Sequence, residues 1–165
     1  MAELEIFTPE ELKQLQQAPM YVIAGAVASE TDGILGSMRE TVDGVKTFAR
    51  ALAEAQDSLL SAIFASIDTD DPVDFDIENV SQAATADAAM NEGVAAAVAS
   101  IRILEAKAQM GDADAYAAAL LNAATAAVKA ARTGGFLGIG AETISKNEAA
   151  YMERLSTAMG YERER

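Results

Sequence analysis

Residues 94–132 read VAAAVASIRILEAKAQMGDADAYAAALLNAATAAVKAAR, and this stretch decides the fold. Val94, Val98, Ile101, Leu104 and Ala108 recur three or four apart, the spacing that lines up side chains on one face of a 3.6-residue helix. Alanine fills many of the positions between them, and it is the best helix former because it loses no side-chain entropy on folding. Gly111 followed by Asp112 reads as a stop and a fresh cap. A second helix is therefore predicted over 113–132, with Tyr116, Leu120 and Ala127 inward. The strict apolar–polar alternation of a strand is missing from both segments.

Working outward, Thr8-Pro9-Glu10-Glu11 opens the first helix: threonine caps, proline takes the first helical position, and Glu11 returns a bond as in a capping box. Ile6 or Phe7 staples that start. Pro19 is expected to begin a second, short and very apolar helix over 20–29, buried on most sides. Asp32-Gly33 marks a turn, extended by Gly36. Helical spacing resumes near Ser37 with Val45, Phe48, Leu52, Leu59, Ile63 and Ile67, divided at Gln56-Asp57-Ser58 with Asp57 as cap. Residues 68–76, DTDDPVDFD, form an acidic loop, and a further helix falls within 78–91. After the helices of 94–132, the glycine-rich stretch 133–143 is a connector whose Phe136 and Leu137 plug the core. Ser145 with Glu148 makes a second capping box for a last helix burying Tyr151, Met152, Leu155 and Met159. Gly160 stops it, and 161–165 form a flexible tail. The fold expected is all-α, a single domain over 1–165 built as a bundle of about six to eight helices.

Composition agrees. At 165 residues the chain is long enough to bury a core, yet aromatics make up only 5% of it and tryptophan is absent. Such a core needs backbones held close together, which small side chains on helices allow. Acidic residues number 26 against 12 basic, a formal charge of −14, so phosphate backbones and anionic lipid are repelled and nucleic acid is not an expected partner. There is no cysteine, which removes disulfides, thiolate nucleophiles and zinc ribbons, and no histidine, the usual base near neutral pH. Residues 1–8 carry acids rather than a basic region leading into an apolar one, and the longest apolar stretches, such as 20–28, fall short of the ~20 residues needed to span a bilayer. A cytoplasmic location without membrane insertion is the expectation.

An internal repeat relates 24–41 (AGAVASETDGILGSMRET) to 126–143 (AAVKAARTGGFLGIGAET). Ala24 matches Ala126, Ala28 matches Ala130, Thr31 matches Thr133 and Gly33 matches Gly135; Leu35, Gly36, Glu40 and Thr41 match Leu137, Gly138, Glu142 and Thr143. The predicted unit is a helix, a glycine turn, an apolar plug and a second helix, used twice.

Candidate chemistry is confined to carboxylates. Asp68, Asp70, Asp71, Asp74, Asp76 and Glu78 lie close enough in sequence to offer a hard cation, calcium or magnesium, several oxygen ligands from one stretch. The stretch is not an EF-hand, because Val73 stands where glycine is required and Asn79 where the bidentate glutamate belongs. Asp32, with Glu40 near it, is the second cation candidate. The run Gly134-Gly135-Phe136-Leu137-Gly138-Ile139-Gly140 is no phosphate cradle: Ala141 follows it where a P-loop has lysine, and a helix rather than a strand precedes it. Nothing pairs a nucleophile with a base, so no catalytic residue is assigned and no cofactor beyond such a cation is expected.

The turn units resemble those of the TerB-like helical family, linked to tellurite resistance, whose repeat is a helix, a turn of the form A-D-G-x-x-x-x-x-E and a following helix. Thr31-Asp32-Gly33 through Glu40 is similar to a first copy, with the glutamate displaced by one position. Gly134-Gly135 through Ser145-Lys146-Asn147-Glu148 is similar to a stretched second copy, with Gly134 in place of the aspartate. The resemblance implies an all-helical fold, cation-binding acids at Asp32, Glu40 and Glu148, and stress-response assemblies near the membrane. From the residues, the function expected is a non-catalytic helical scaffold that binds a protein partner or itself; the alternative is a divalent-cation binding or sensing module.

Overall fold

The computed structural model describes residues 4–30, 48, 52, 58–65, 85–133 and 146–161. Within them a 3-10 turn at Leu4–Ile6 is followed by five α-helices: α1 (Pro9–Glu30), α2 (Ser58–Ala65), α3 (Ala86–Lys107), α4 (Met110–Thr133) and α5 (Lys146–Met159). No strand occurs among the described residues, so the expected all-α class holds.

The start of α1 is the capping box read from the sequence. Thr8 donates its backbone N–H to Glu11 Oε2 at 2.7 Å, and Glu11 N–H returns to Thr8 Oγ1 at 3.2 Å. Phe7 is the staple and is buried with the main core, whereas Ile6 points to solvent. Pro19, however, does not begin a new helix. α1 runs unbroken for 22 residues with Pro19 inside it. A proline there has no N–H, which frees the carbonyl of Leu15 four residues back. Tyr116 on α4 donates its hydroxyl to that carbonyl at 2.6 Å, in a fully buried contact. The vacancy in the helix ladder is filled from a neighbouring helix, and the break expected at Pro19 is thereby avoided.

Two further boundaries differ from expectation for similar reasons. α3 does not start after Gly93; Thr85 caps it, accepting from Ala88 N–H at 3.1 Å, and the helix passes straight through Gly93. α4 starts at Met110 rather than after Asp112, because Asp112 Oδ2 reaches back to Gln109 N–H at 2.9 Å and closes the first turn. At the other end of the chain Gly160, with φ of 68°, stops α5: its N–H bonds Thr157 O at 3.1 Å and Tyr161 N–H bonds Ser156 O at 3.0 Å. The second of those bonds holds Tyr161, which packs on the core; the rest of the tail expected over 161–165 lies outside the described residues.

α1 is the axis of the molecule and touches each of the other four helices. Its second half is buried on nearly every side, as a helix that is apolar all round must be. α3 lies antiparallel along it, with Lys107 paired to Glu11 at one end and Ala89 packed beside Gly25 at the other. α4 closes the core with Tyr116, Leu120, Ala124 and Val128. α2 adds Leu59, Leu60, Ile63 and Phe64; Phe64 stacks on Tyr116 at 6.2 Å between ring centres and meets Phe48 edge-on at 5.6 Å. α5 buries Tyr151, Leu155 and Met159 as its spacing predicts, together with Glu148, whereas Met152, also expected inside, is half-buried.

The expected repeat can be compared only over its helical arms, since 31–41 and 134–143 lie outside the described residues. Ala26 and its counterpart Val128 are both buried, but Ala24 is buried where Ala126 is exposed. The two arms therefore do not share one set of burial positions.

Candidate binding groove

The predicted cation ligands Asp68, Asp70, Asp74, Asp76 and Glu78, and Asp32 with Glu40, all lie outside the described residues. Among the described residues, no three acidic side chains come together as ligands of a metal ion. Glu148, the acid implied by the TerB-like second copy, is buried in the first turn of α5.

What the described helices do form is an open groove of about 480 Å³ along the outer seam of α1 and α3. Its geometry follows from how close the helices come. Gly25 and Gly93 face each other across the seam: a Cβ on Gly93 would lie 2.9 Å from the Tyr21 carbonyl oxygen, and one on Gly25 would lie 3.1 Å from the Ala89 carbonyl oxygen. Either Cβ would also collide with the hydroxyl of Tyr151, which occupies the slot between the glycines and donates to Val22 O at 3.0 Å. The seam is thus tight and filled at that end. Within the next two turns of α3, Ala95, Ala96 and Ala99 are too short to fill the space between the helices, and they become the floor of the groove.

The walls are polar. Gln14, Gln17 and Tyr21 stand three and four residues apart on one face of α1, and Glu92 faces them from α3. The Gln14 amide donates to the Ala96 carbonyl at 3.3 Å, which fixes one wall to the floor. Glu92 is the one formal charge among the lining residues. The arrangement offers amide donors and acceptors and an aromatic ring, all half-buried, and one exposed carboxylate. It can hold a ligand by hydrogen bonding and charge; it does not pair a nucleophile with a base.

Sequence reasoning missed all four wall residues. It looked to crowded acids and glycine turns, whereas this groove joins three uncharged polar residues of α1 to a single acid, Glu92, more than seventy positions away. The signal that was present is the pair Gly25 and Gly93, glycines inside helical patterns, which mark close approach of another backbone.

Two buried tyrosines lie apart from the groove. Burial pushes the phenol of Tyr116 well above its ordinary range, and the neighbouring Ser100 hydroxyl opposes that rise. Burial does the same to Tyr151, with the nearby Arg154 charge opposing it. Both stay protonated at any physiological pH and act as hydrogen-bond donors to helix carbonyls.

No helix of the described residues is long and apolar enough to cross a membrane. No protein-family model, curated protein or solved structure matches the chain.

Proposed function

We propose that the chain is a non-catalytic helical scaffold that works by binding another protein, with a second copy of itself as one form of partner. The observation that carries this reading is the open, polar-walled groove between α1 and α3, a surface suited to hydrogen-bonded contact. The lack of any histidine or cysteine supports it, because most nucleophilic and general-base chemistry is then out of reach. In the same reading the remaining residues complete a bundle of six to eight helices in one domain of the cytoplasm, built on the duplicated unit of 24–41 and 126–143 and akin to the TerB-like proteins.

Sedimentation of the purified chain, alone and with proteins cross-linked to it in its source cells, tests this. A stoichiometric complex or a defined oligomer at micromolar concentration is expected. Substrate turnover that one carboxylate substitution abolishes would overturn the reading.

A second reading is favoured by one sequence feature, the six acids between 68 and 78. Under it the chain binds or senses calcium or magnesium through Asp68, Asp70, Asp74, Asp76 and Glu78, or through Asp32 and Glu40. Calorimetric titration with each cation separates the two readings.

A further inference from the structure

We infer that the α1–α3 groove is the docking site for a short segment of a partner protein carrying an arginine side chain. The inference rests on the interaction reading above and adds to it the place and the chemistry of the contact.

Size comes first. From Gln14 to Tyr21 the α1 wall rises ~10 Å at ~1.5 Å per residue, the length of about three residues of extended chain. A volume of about 480 Å³ lies within the range of sites that hold a few side chains. The groove opens to solvent along the outer side of the seam, so a short segment can lie across it.

Charge decides which side chain. Glu92 is the sole charged residue in the lining, and its neighbour Gly93 lies against the backbone of Tyr21, the lining's one aromatic residue. A carboxylate beside an aromatic face suits a guanidinium, which bonds the first through its planar fork and stacks on the second. Lysine offers a point charge and cannot stack in the same way. The whole chain carries −14, so a basic segment is drawn toward it from a distance while an acidic one is repelled. The remaining walls, the amides of Gln14 and Gln17, match the main-chain N–H and C=O groups of a peptide.

The test uses the intact chain and the peptide acetyl-Ala-Ala-Arg-Ala-Ala-amide, followed by amide NMR. Shifts should cluster at Gln14, Gln17, Tyr21, Glu92 and Ala99. The peptide with neutral citrulline in place of arginine should bind about fivefold more weakly, the scale of one exposed ion pair, and Glu92→Gln should weaken the arginine peptide equally. Ala95→Arg, at an exposed floor position where arginine keeps the helix, should abolish binding with unchanged circular dichroism. Shifts scattered over acidic residues, equal binding to Ala95→Arg, or no binding at all would each overturn the inference. A chain with Ala95→Arg that still holds the partner isolated with the parent overturns the groove and leaves the interaction reading standing.

Discussion

Tyr116 shows how one side chain repairs another. Pro19 removes a ladder bond from the middle of α1, and the buried Leu15 carbonyl would be left unpaired without the Tyr116 hydroxyl. Tyr116→Phe keeps the ring and loses the donor, so it should cost about 1–3 kcal/mol in urea unfolding. In a Pro19→Ala background residue 19 regains its N–H, and the same change should cost less, with a coupling of at least about 0.5 kcal/mol. Additive costs would mean that the hydroxyl contributes nothing to the repair. Ser100 is the converse case: its buried hydroxyl is without a hydrogen-bond partner, so Ser100→Ala should be neutral or stabilising. Gly93 tests the seam. Gly93→Ala forces a methyl against the Tyr151 hydroxyl and the Tyr21 carbonyl, and overpacking of this kind costs about 1–3 kcal/mol. Adding Tyr151→Phe should recover part of that loss, because the carbonyl clash remains; full recovery would show that the backbones can separate freely.

At the scale of elements, the best-determined feature is the start of α1. Lys107 reaches Glu11 Oε2 at 2.6 Å and also donates to the Ile6 carbonyl, so the cap ties the end of α3 to the beginning of α1. The bond from Lys107, followed by that from Thr8 N–H, holds the Glu11 carboxyl below the ordinary carboxylate range. A depressed folded-state value means a contribution present at neutral pH and lost as pH falls through that value. Carbon NMR should therefore find Glu11 titrating low, and Glu11→Gln should flatten the acid limb of the stability profile; an unchanged limb would remove the cap from the account. This element was legible in the sequence because all its information is local, as it is for the Gly160 stop and the inward faces of α4 and α5. What was not legible depends on partners distant in the chain. The passage of α1 through Pro19 required Tyr116, and that of α3 through Gly93 required α1 alongside it. The groove itself joins residue 14 to residue 96, and no periodicity within one segment announces such a pairing.

For the whole molecule, the surplus of acids is the dominant long-range force. A charge of −14 on a chain of this size opposes compaction, and the repulsion is concentrated where acids crowd, above all between 68 and 78. Two mechanisms could relieve it, and they differ in what salt does. Screening depends only on ionic strength: between 10 and 150 mM sodium chloride the Debye length falls from ~30 Å to ~8 Å, so the melting temperature should rise by several degrees. Site binding depends on the ion, because calcium or magnesium held by several oxygens stabilises the folded state in proportion to its occupancy. On the scaffold reading, screening suffices, and calcium or magnesium at matched ionic strength should raise the melting temperature no further than sodium does. On the cation reading, an excess appears at millimolar divalent ion and disappears when Asp70→Asn and Asp74→Asn are combined. The double variant also carries two fewer charges, so it should melt higher than the parent at low sodium whichever reading holds. Only the divalent excess, measured as a difference within each variant, discriminates. An excess lost with those two aspartates would move the function of this chain from its groove to the acidic stretch 68–78.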